Sequence, residues 1–390
     1  MNNLLKVLLI AYNANISIEQ SDLPEDATLN VIQLATKYGQ KTEAYDIISE
    51  DGYIVKVYRF VGNPTRPVLL IHGAVDATDS FLLRGNTSLV VELTRNGYDV
   101  WSMNCRGNMH SRRHTKLNPN EDAAFWDFSM HEMAYYDLPP VIDFVLNATC
   151  QEKLWAIGYS MGTAVTYMLG ATRPEYNDKI KVFVSLAPIC YVHNSGLTLS
   201  TMISMSPVIN NVFKATGINE IVGFESPVKQ FLNRLCVRKD IGYEICMQNF
   251  VFGLAGSNSG EVEKEFLPVI ITHFPAGTSW KTLYHLAQIG QNKRFAMYDQ
   301  GPMRNLKVYN STLPPEYDLG KVTMKVGLIV AKNDQISTIR DVMLLRKKLP
   351  NVVAFKVIKL DLFNHMDFIW GRNTHKTLHP SILKMLDENQ

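Results

Sequence analysis

Ser160 stands between two glycines in the run Gly158-Tyr159-Ser160-Met161-Gly162, where the apolar stretch "KLWAIG" passes into "TAVTYMLG". A serine hydroxyl is a poor nucleophile until a base takes its proton. A sharp strand-to-helix turn with small neighbours lifts such a hydroxyl above a sheet and aims backbone N–H groups at the same point. The plainer reading is a helix cap, with the glycines serving the turn. The five-residue pattern alone recurs by chance; its place between a strand and a helix gives it weight.

A nucleophile of this kind draws its acid and base from later in the chain, in the order Ser, Asp/Glu, His. "KVGLIVAKND" ends a strand and leaves Asp334 in the loop beyond it. "VVAFKVIKLDLFNH" does the same for His365. The other nine of the ten histidines fit worse. His72 comes too early, His375 and His379 fall in a C-terminal helical region, and the remaining six precede Asp334. Singly, Asp334 reads as a turn residue and His365 as a surface histidine. Together they complete three required types on three strand ends. An oxyanion needs donors as well. The Met161 N–H is one candidate. The second is the Ala74 N–H, in the loop "HGAVDAT" that follows the strand "PVLLIH".

The elements that would position these residues alternate. "YIVKVYRF" is patterned as a half-buried strand and "PVLLIH" and "KLWAIG" as buried ones, and "YDVWSM", "KVFVSLA", "KVGLIVA" and "VVAFKVIKL" as further strands. Helical patterns separate them in "DSFLLRGNTSLVVELTRNG", "HEMAYYDLPPVIDFVL" and "TAVTYMLGATRP". This order predicts an α/β fold with a mostly parallel, doubly wound sheet, whose ligand sites lie at the carboxyl ends of strands. The interval between "KVFVSLA" and "KVGLIVA" is too long for a loop. Residues 191–299 are expected to be a helical cap inserted into a domain spanning 21–390.

The 390 residues are 46% hydrophobic and 19% charged, with a net charge of +2. That balance, without a basic block, gives no electrostatic case for nucleic acid. No apolar run is long enough to span a bilayer. Residues 1–20, with one lysine before a short apolar stretch, read as a secretory signal. Asn-x-Ser/Thr occurs at Asn15, Asn86, Asn147 and Asn310. The five cysteines are too few for a disulfide scaffold, show no metal spacing, and leave at least one thiol unpaired within the chain.

Four longer stretches, "GYDVWSMNCRGNMHSRRH", "FWDFSMHEMAYYDLPPVIDFVL", "NSTLPPEYDLGKV" and "FNHMDFIWG", resemble the acid lipase family of gastric, lysosomal and insect lipases. The resemblance runs from about Leu29 to the end and is nearest to insect members. It implies an α/β-hydrolase fold with a mostly helical cap and hydrolysis of neutral lipid esters, triacylglycerols or cholesteryl esters. It implies Ser160, Asp334 and His365 as the triad, with Ala74 and Met161 as oxyanion donors. It also implies a Cys236–Cys246 disulfide within the cap. Many members carry His and Gln beside the nucleophile and Leu after His-Gly; this chain has Tyr159, Met161 and Ala74.

The expectation is a secreted or lysosomal ester hydrolase that works at a lipid–water interface and needs no metal or organic cofactor. A storage or carrier protein of lipase fold, and a short-chain non-lipid esterase, are the rival readings. "TMISMSPVI" and "EFLPVIITHFPAG" are candidates to line an acyl tunnel; the alternative is that they form the cap's own core.

Overall fold

A computed structural model describes residues 23–223, 226–258 and 260–390. The expected signal segment and the Asn15 sequon lie outside them.

Ten strands form in chain order: β1 Thr42–Ile48, β2 Ile54–Phe60, β3 Pro67–Ile71, β4 Asp99–Met103, β5 Leu154–Tyr159, β6 Ile180–Leu186, β7 Glu220–Ile221, β8 Thr278–Ser279, β9 Val326–Val330 and β10 Val352–Val357. Eight of them make one sheet, ordered β1-β2-β4-β3-β5-β6-β9-β10. β1 and β2 are antiparallel to their neighbours, and the rest run parallel. The chain thus has the α/β-hydrolase architecture.

Strands β3, β4, β5 and β9 are buried at every position, which is why they read as unbroken apolar runs. Their side chains alternate between two cores. On one face Leu69, Trp101, Ala156 and Leu328 meet helices Leu138–Thr149 and Met161–Thr172. On the other face Leu70, Val100, Ile157 and Ile329 meet helices Leu89–Arg95 and His379–Asp387.

Strand β1 has no counterpart among the sequence expectations. It is an edge strand with a single buried residue, so it carries no apolar alternation. Its charges are held instead by neighbours: Glu43 pairs with Arg59 at 3.1 Å, and Asp46 with Lys56 and, at 2.6 Å, with Arg113. The helix expected through "DSFLLRGNTSLVVELTRNG" is confined to Leu89–Arg95, preceded by two short 3₁₀ turns.

The "NCRGN" and "YYDLPP" stretches meet in a buried ion cluster. Arg106, 1% exposed, holds Asp137 with Nε at 2.9 Å and Asp51 with Nη1 at 2.6 Å, and lies 3.9 Å over the Tyr53 ring.

Between β6 and β9 the chain forms helices Leu197–Thr216, Pro227–Cys236, Leu267–His273, Trp280–Asn292 and Pro302–Tyr309, with a π-helical turn at Tyr243–Val251. Leu197–Thr216 buries Ile203, Ser206 and Asn210. Met202 and Met205 instead face outward, 47% and 55% exposed, so they line no interior tunnel here. Leu267, Val269, Ile270 and Ile271 pack into the core that also holds Leu70 and Trp370. A disulfide joins Cys236 to Cys246; Cys105 and Cys190 are buried thiols and Cys150 is an exposed one. Asn86, Asn147 and Asn310 are exposed.

Candidate active site

Ser160 follows the last residue of β5 and opens helix Met161–Thr172. Its backbone lies at φ 50°, ψ −120°, a region that costs a non-glycine residue about 1–3 kcal/mol. Neighbours hold it there. Its N–H donates to Leu186 O at 3.0 Å, and its carbonyl accepts from the Thr163 hydroxyl at 2.6 Å. The flanking glycines have separate reasons. A Cβ at Gly162 would sit 2.3 Å from Ile71 O, so only glycine lets the helix approach the end of β3. A Cβ at Gly158 would press on the Phe183 ring at 2.9 Å.

Asp334 and His365 lie in the loops beyond β9 and β10, and the fold brings both to Ser160. His365 Nε2 is 2.8 Å from Ser160 Oγ, and His365 Nδ1 is 2.8 Å from Asp334 Oδ2. Asp334 Oδ1 accepts the N–H groups of Ile336 at 2.8 Å and Ser337 at 2.7 Å. An ionised carboxylate only accepts, so the network assigns the imidazole proton to Nδ1 and leaves Nε2 to accept from the serine. This arrangement can move a proton off the hydroxyl and later return one to a leaving group. All three side chains are enclosed: Ser160, Asp334 and His365 are 8%, 2% and 3% exposed.

The groups that hold His365 were not among the sequence expectations. The His365 N–H donates to Ala255 O at 3.3 Å, and so does the N–H of Gln335, beside Asp334, at 3.3 Å. The Asn364 side chain donates to Gly256 O at 2.7 Å and accepts from the N–H of Asp367 at 3.0 Å. Asp367 returns the contact, accepting from Asn364 N at 2.8 Å and from Asn258 Nδ2 at 2.7 Å. Burial pushes Asp367 up to about 7, against those hydrogen bonds. Asn364 three residues before an acidic Asp367 is a turn-and-cap signature, carried by "FNHMDF". Nothing local in the sequence marks Ala255.

The loop after β3 faces the same point. His72 Nδ1 lies 2.8 Å from Gly73 O, while its Nε2 accepts the Cys105 N–H at 2.9 Å. Burial pushes His72 down to about 4, so it stays neutral and donates through Nδ1. Fixing Gly73 O fixes the planar Gly73–Ala74 peptide, whose N–H points the opposite way. Among the described residues the Ala74 N–H has no acceptor. A Cβ on Gly73 would lie 3.4 Å from Ser160 Cβ, which places this loop against the nucleophile. Val75 O is pinned by the Ala276 N–H at 2.6 Å. Met161 is the first residue of its helix, so its N–H has no partner within it.

Among the described residues no group of three or more His, Cys, Asp or Glu is placed to hold a metal, and no helix is long and apolar enough to cross a membrane. An open cleft of about 660 Å³, lined by Trp126, Trp280, Tyr284 and Arg304, lies apart from the five candidate residues.

Residues 66–220 match a family model described as alpha/beta hydrolase fold. Lipase 1 of Drosophila melanogaster is 35% identical over 374 residues, which cover 95% of this chain and 82% of that protein. Gastric triacylglycerol lipase of Mus musculus is 33% identical over 377 residues, 93% of each chain. A putative lipase from Sulfolobus solfataricus shares the fold with a TM-score of 0.59 at 16% identity, covering 90% of this chain and 94% of that one. A variant of monoglyceride lipase from Saccharomyces cerevisiae does so with a TM-score of 0.57 at 15% identity, over 90% and 96% of the two chains. Relatives of this identity, spanning nearly the whole length, show that the chain belongs to the acid lipase family and is a serine hydrolase of carboxylic esters.

Proposed function

We propose that the protein releases fatty acids from neutral lipid esters through Ser160, His365 and Asp334. The observation that carries this is the unbroken hydrogen-bond chain from Asp334 Oδ2 to Ser160 Oγ, with 2.8 Å at each step. Ser160 attacks the ester carbonyl as His365 takes its proton. Asp334 keeps the imidazole in the right tautomer and stabilises its cation. The amides of Ala74 and Met161 receive the oxyanion. His365 then protonates the leaving alcohol, and water releases the acyl group by the same steps.

Two observations support a lipid rather than a small soluble substrate. The triad is enclosed, and residues 191–299 act in this reading as the cap that encloses it. The outer face of helix Leu197–Thr216 presents Met202, Met205, Val208 and Val212, the last two 67% and 51% exposed, and the helix carries no carboxylate. An apolar helix face of this kind suits a lipid–water boundary. The disulfide and the exposed sequons support an extracellular or lysosomal setting, with residues 1–20 as the signal.

The test is hydrolysis of an ester series from butyrate to oleate, plus cholesteryl oleate, by wild type and Ser160→Ala. Each buried methylene is worth about 0.8 kcal/mol, so kcat/KM should rise with chain length, and Ser160→Ala should be inactive throughout. Activity confined to short soluble esters would make the protein a non-lipid esterase. Binding of lipid without turnover by wild type would make it a carrier.

A further inference from the structure

Tyr159, the last residue of β5, is 2% exposed and touches both loops that serve Ser160. Its hydroxyl donates to the carbonyl oxygen of His365 at 3.0 Å, with Met366 Sδ at 3.7 Å. Its ring lies 5.3 Å from the His365 imidazole, centroid to centroid, tilted by 37°. Its Cδ1 and Cε1 lie 3.0 Å from where a Cβ on Gly73 would be, so the Gly73 backbone rests directly on the ring. One rigid side chain therefore spans from the proposed oxyanion loop to the proposed base, and it is bonded to the residue next to the nucleophile.

We propose that Tyr159 is a positioning residue: its hydroxyl fixes the His365 backbone, and its ring sets how closely the Gly73–Ala74 peptide approaches Ser160. Neither group touches substrate in this scheme. The His365 backbone is held from two sides, by Ala255 O on its N–H and by Tyr159 on its carbonyl. Removing one side leaves the backbone under the imidazole held by one bond, so that the ring's contacts with Asp334 and Ser160 must do the rest of the positioning. Burial keeps the phenol well above its ordinary pKa, so it remains a donor throughout the range in which a histidine base works. The competing explanation is that Tyr159 is core filling, since it also packs with Val184 and Leu186. A filling role is met equally well by phenylalanine.

The inference rests on the proposed triad, and the experiment separates the two. Tyr159→Phe keeps the ring and deletes the donor. Its kcat should fall on the order of ten- to a hundredfold, the scale of a small misplacement of a catalytic group, with KM within about twofold of wild type. The rate at which a phosphonate ester labels Ser160 should fall in parallel, while the thermal midpoint measured alongside stays near that of wild type. Tyr159→Leu, which also loses the ring, should fall further; if it does not fold, the phenylalanine variant decides alone. If Tyr159→Phe keeps kcat within about twofold, or changes KM rather than kcat, Tyr159 is core filling and the inference is wrong. If Ser160→Ala keeps wild-type turnover, the triad itself is misassigned.

Discussion

His365 Nε2 and Ser160 Oγ lie 2.8 Å apart although 205 residues separate them in the chain. The contact exists because β5 and β10 end on the same rim of the sheet. It is closed from behind by Asp334, whose two oxygens divide the work: Oδ2 faces the imidazole and Oδ1 is tied to the amides of Ile336 and Ser337.

That division makes Asp334→Asn a sharp test. An amide can present its NH₂ to His365 Nδ1, which would move the imidazole proton to Nε2 and aim it at the serine. Turnover should fall by about 10³–10⁴ with the fold intact. Combining the change with Ser160→Ala should add little, because the residues act as one unit. Near-normal turnover in Asp334→Asn would place the acid elsewhere.

The outward face of helix Leu197–Thr216 predicts a split between substrates. Val208→Glu puts a charge where an apolar surface would meet lipid, at a position remote from the core contacts of Ile203 and Asn210. Activity on emulsified triolein should drop severalfold, while activity on dissolved butyrate esters stays at the wild-type level. An equal drop on both would mean that the face serves folding or gating rather than adsorption.

Asp79 ties the loop after β3 to the insertion. Its Oδ1 lies 2.8 Å from His273 Nδ1 and its Oδ2 lies 2.6 Å from His110 Nε2. His273 Nε2 faces Asp26 O at 2.9 Å, so both of its ring nitrogens meet acceptors. Other polar groups beside the cluster are Asp76 and His72, which interact with Asp79, Tyr58, with its hydroxyl 3.3 Å from His110, and Lys229, which donates to Ile271 O at 2.7 Å and is pushed down to about 7 by burial. Burial opposes charge on His273, but the hydrogen bond and charge of Asp79 outweigh it and raise the pKa above 6.5. Burial would likewise raise Asp79, yet His110 and His273 hold it far below the usual carboxylate range.

A raised histidine pKa stabilises the fold fully below the unfolded value, and that share is lost as pH rises through the folded value. His273→Gln should therefore lower the thermal midpoint more at about pH 5.5 than at about pH 8.5, by a few degrees. An equal loss at both would show that His273 is held neutral.

Arg106 should be among the costliest residues to remove outside the active site. Arg106→Met leaves Asp137 buried without its counter-ion and Asp51 half-buried. Loss of one partner from such a pair costs about 3–5 kcal/mol. Urea unfolding should show that loss. A cost below about 1 kcal/mol would mean that water replaces the guanidinium.

The order of the buried strands along the chain and the three candidate side chains Ser160, Asp334 and His365 were legible in the sequence because each rests on local pattern. Buried strands are unbroken apolar runs; Ser160 and Asp334 follow two of them, β5 and β9, while His365 follows the edge strand β10, which is only partly buried. β1 was not legible, since only Ile47 of its seven residues is buried and its charges pair with Arg59, Lys56 and Arg113. The outward turn of Met202 and Met205 was not legible either, because composition says that a helix has an apolar side and not where that side faces. Gly73 is a subtler case. Its need for glycine comes from the Tyr159 ring and the neighbouring Ser160 Cβ, not from an unusual backbone angle.

Ala255 carries a consequence for recombination among relatives. Its single carbonyl receives the amides of both Gln335 and His365, and Gly256 beside it fits only without a Cβ, which would lie 2.0 Å from Asn333 O. A stretch of the chain between β6 and β9 thus fastens the loops that carry Asp334 and His365. A chimaera that exchanges residues 191–299 as a block would import a foreign fastening for the His365 loop. Exchanges of this segment should leave 255–258 in place and cut on either side of it, so that the alignment of His365 with Ser160 is carried over unchanged.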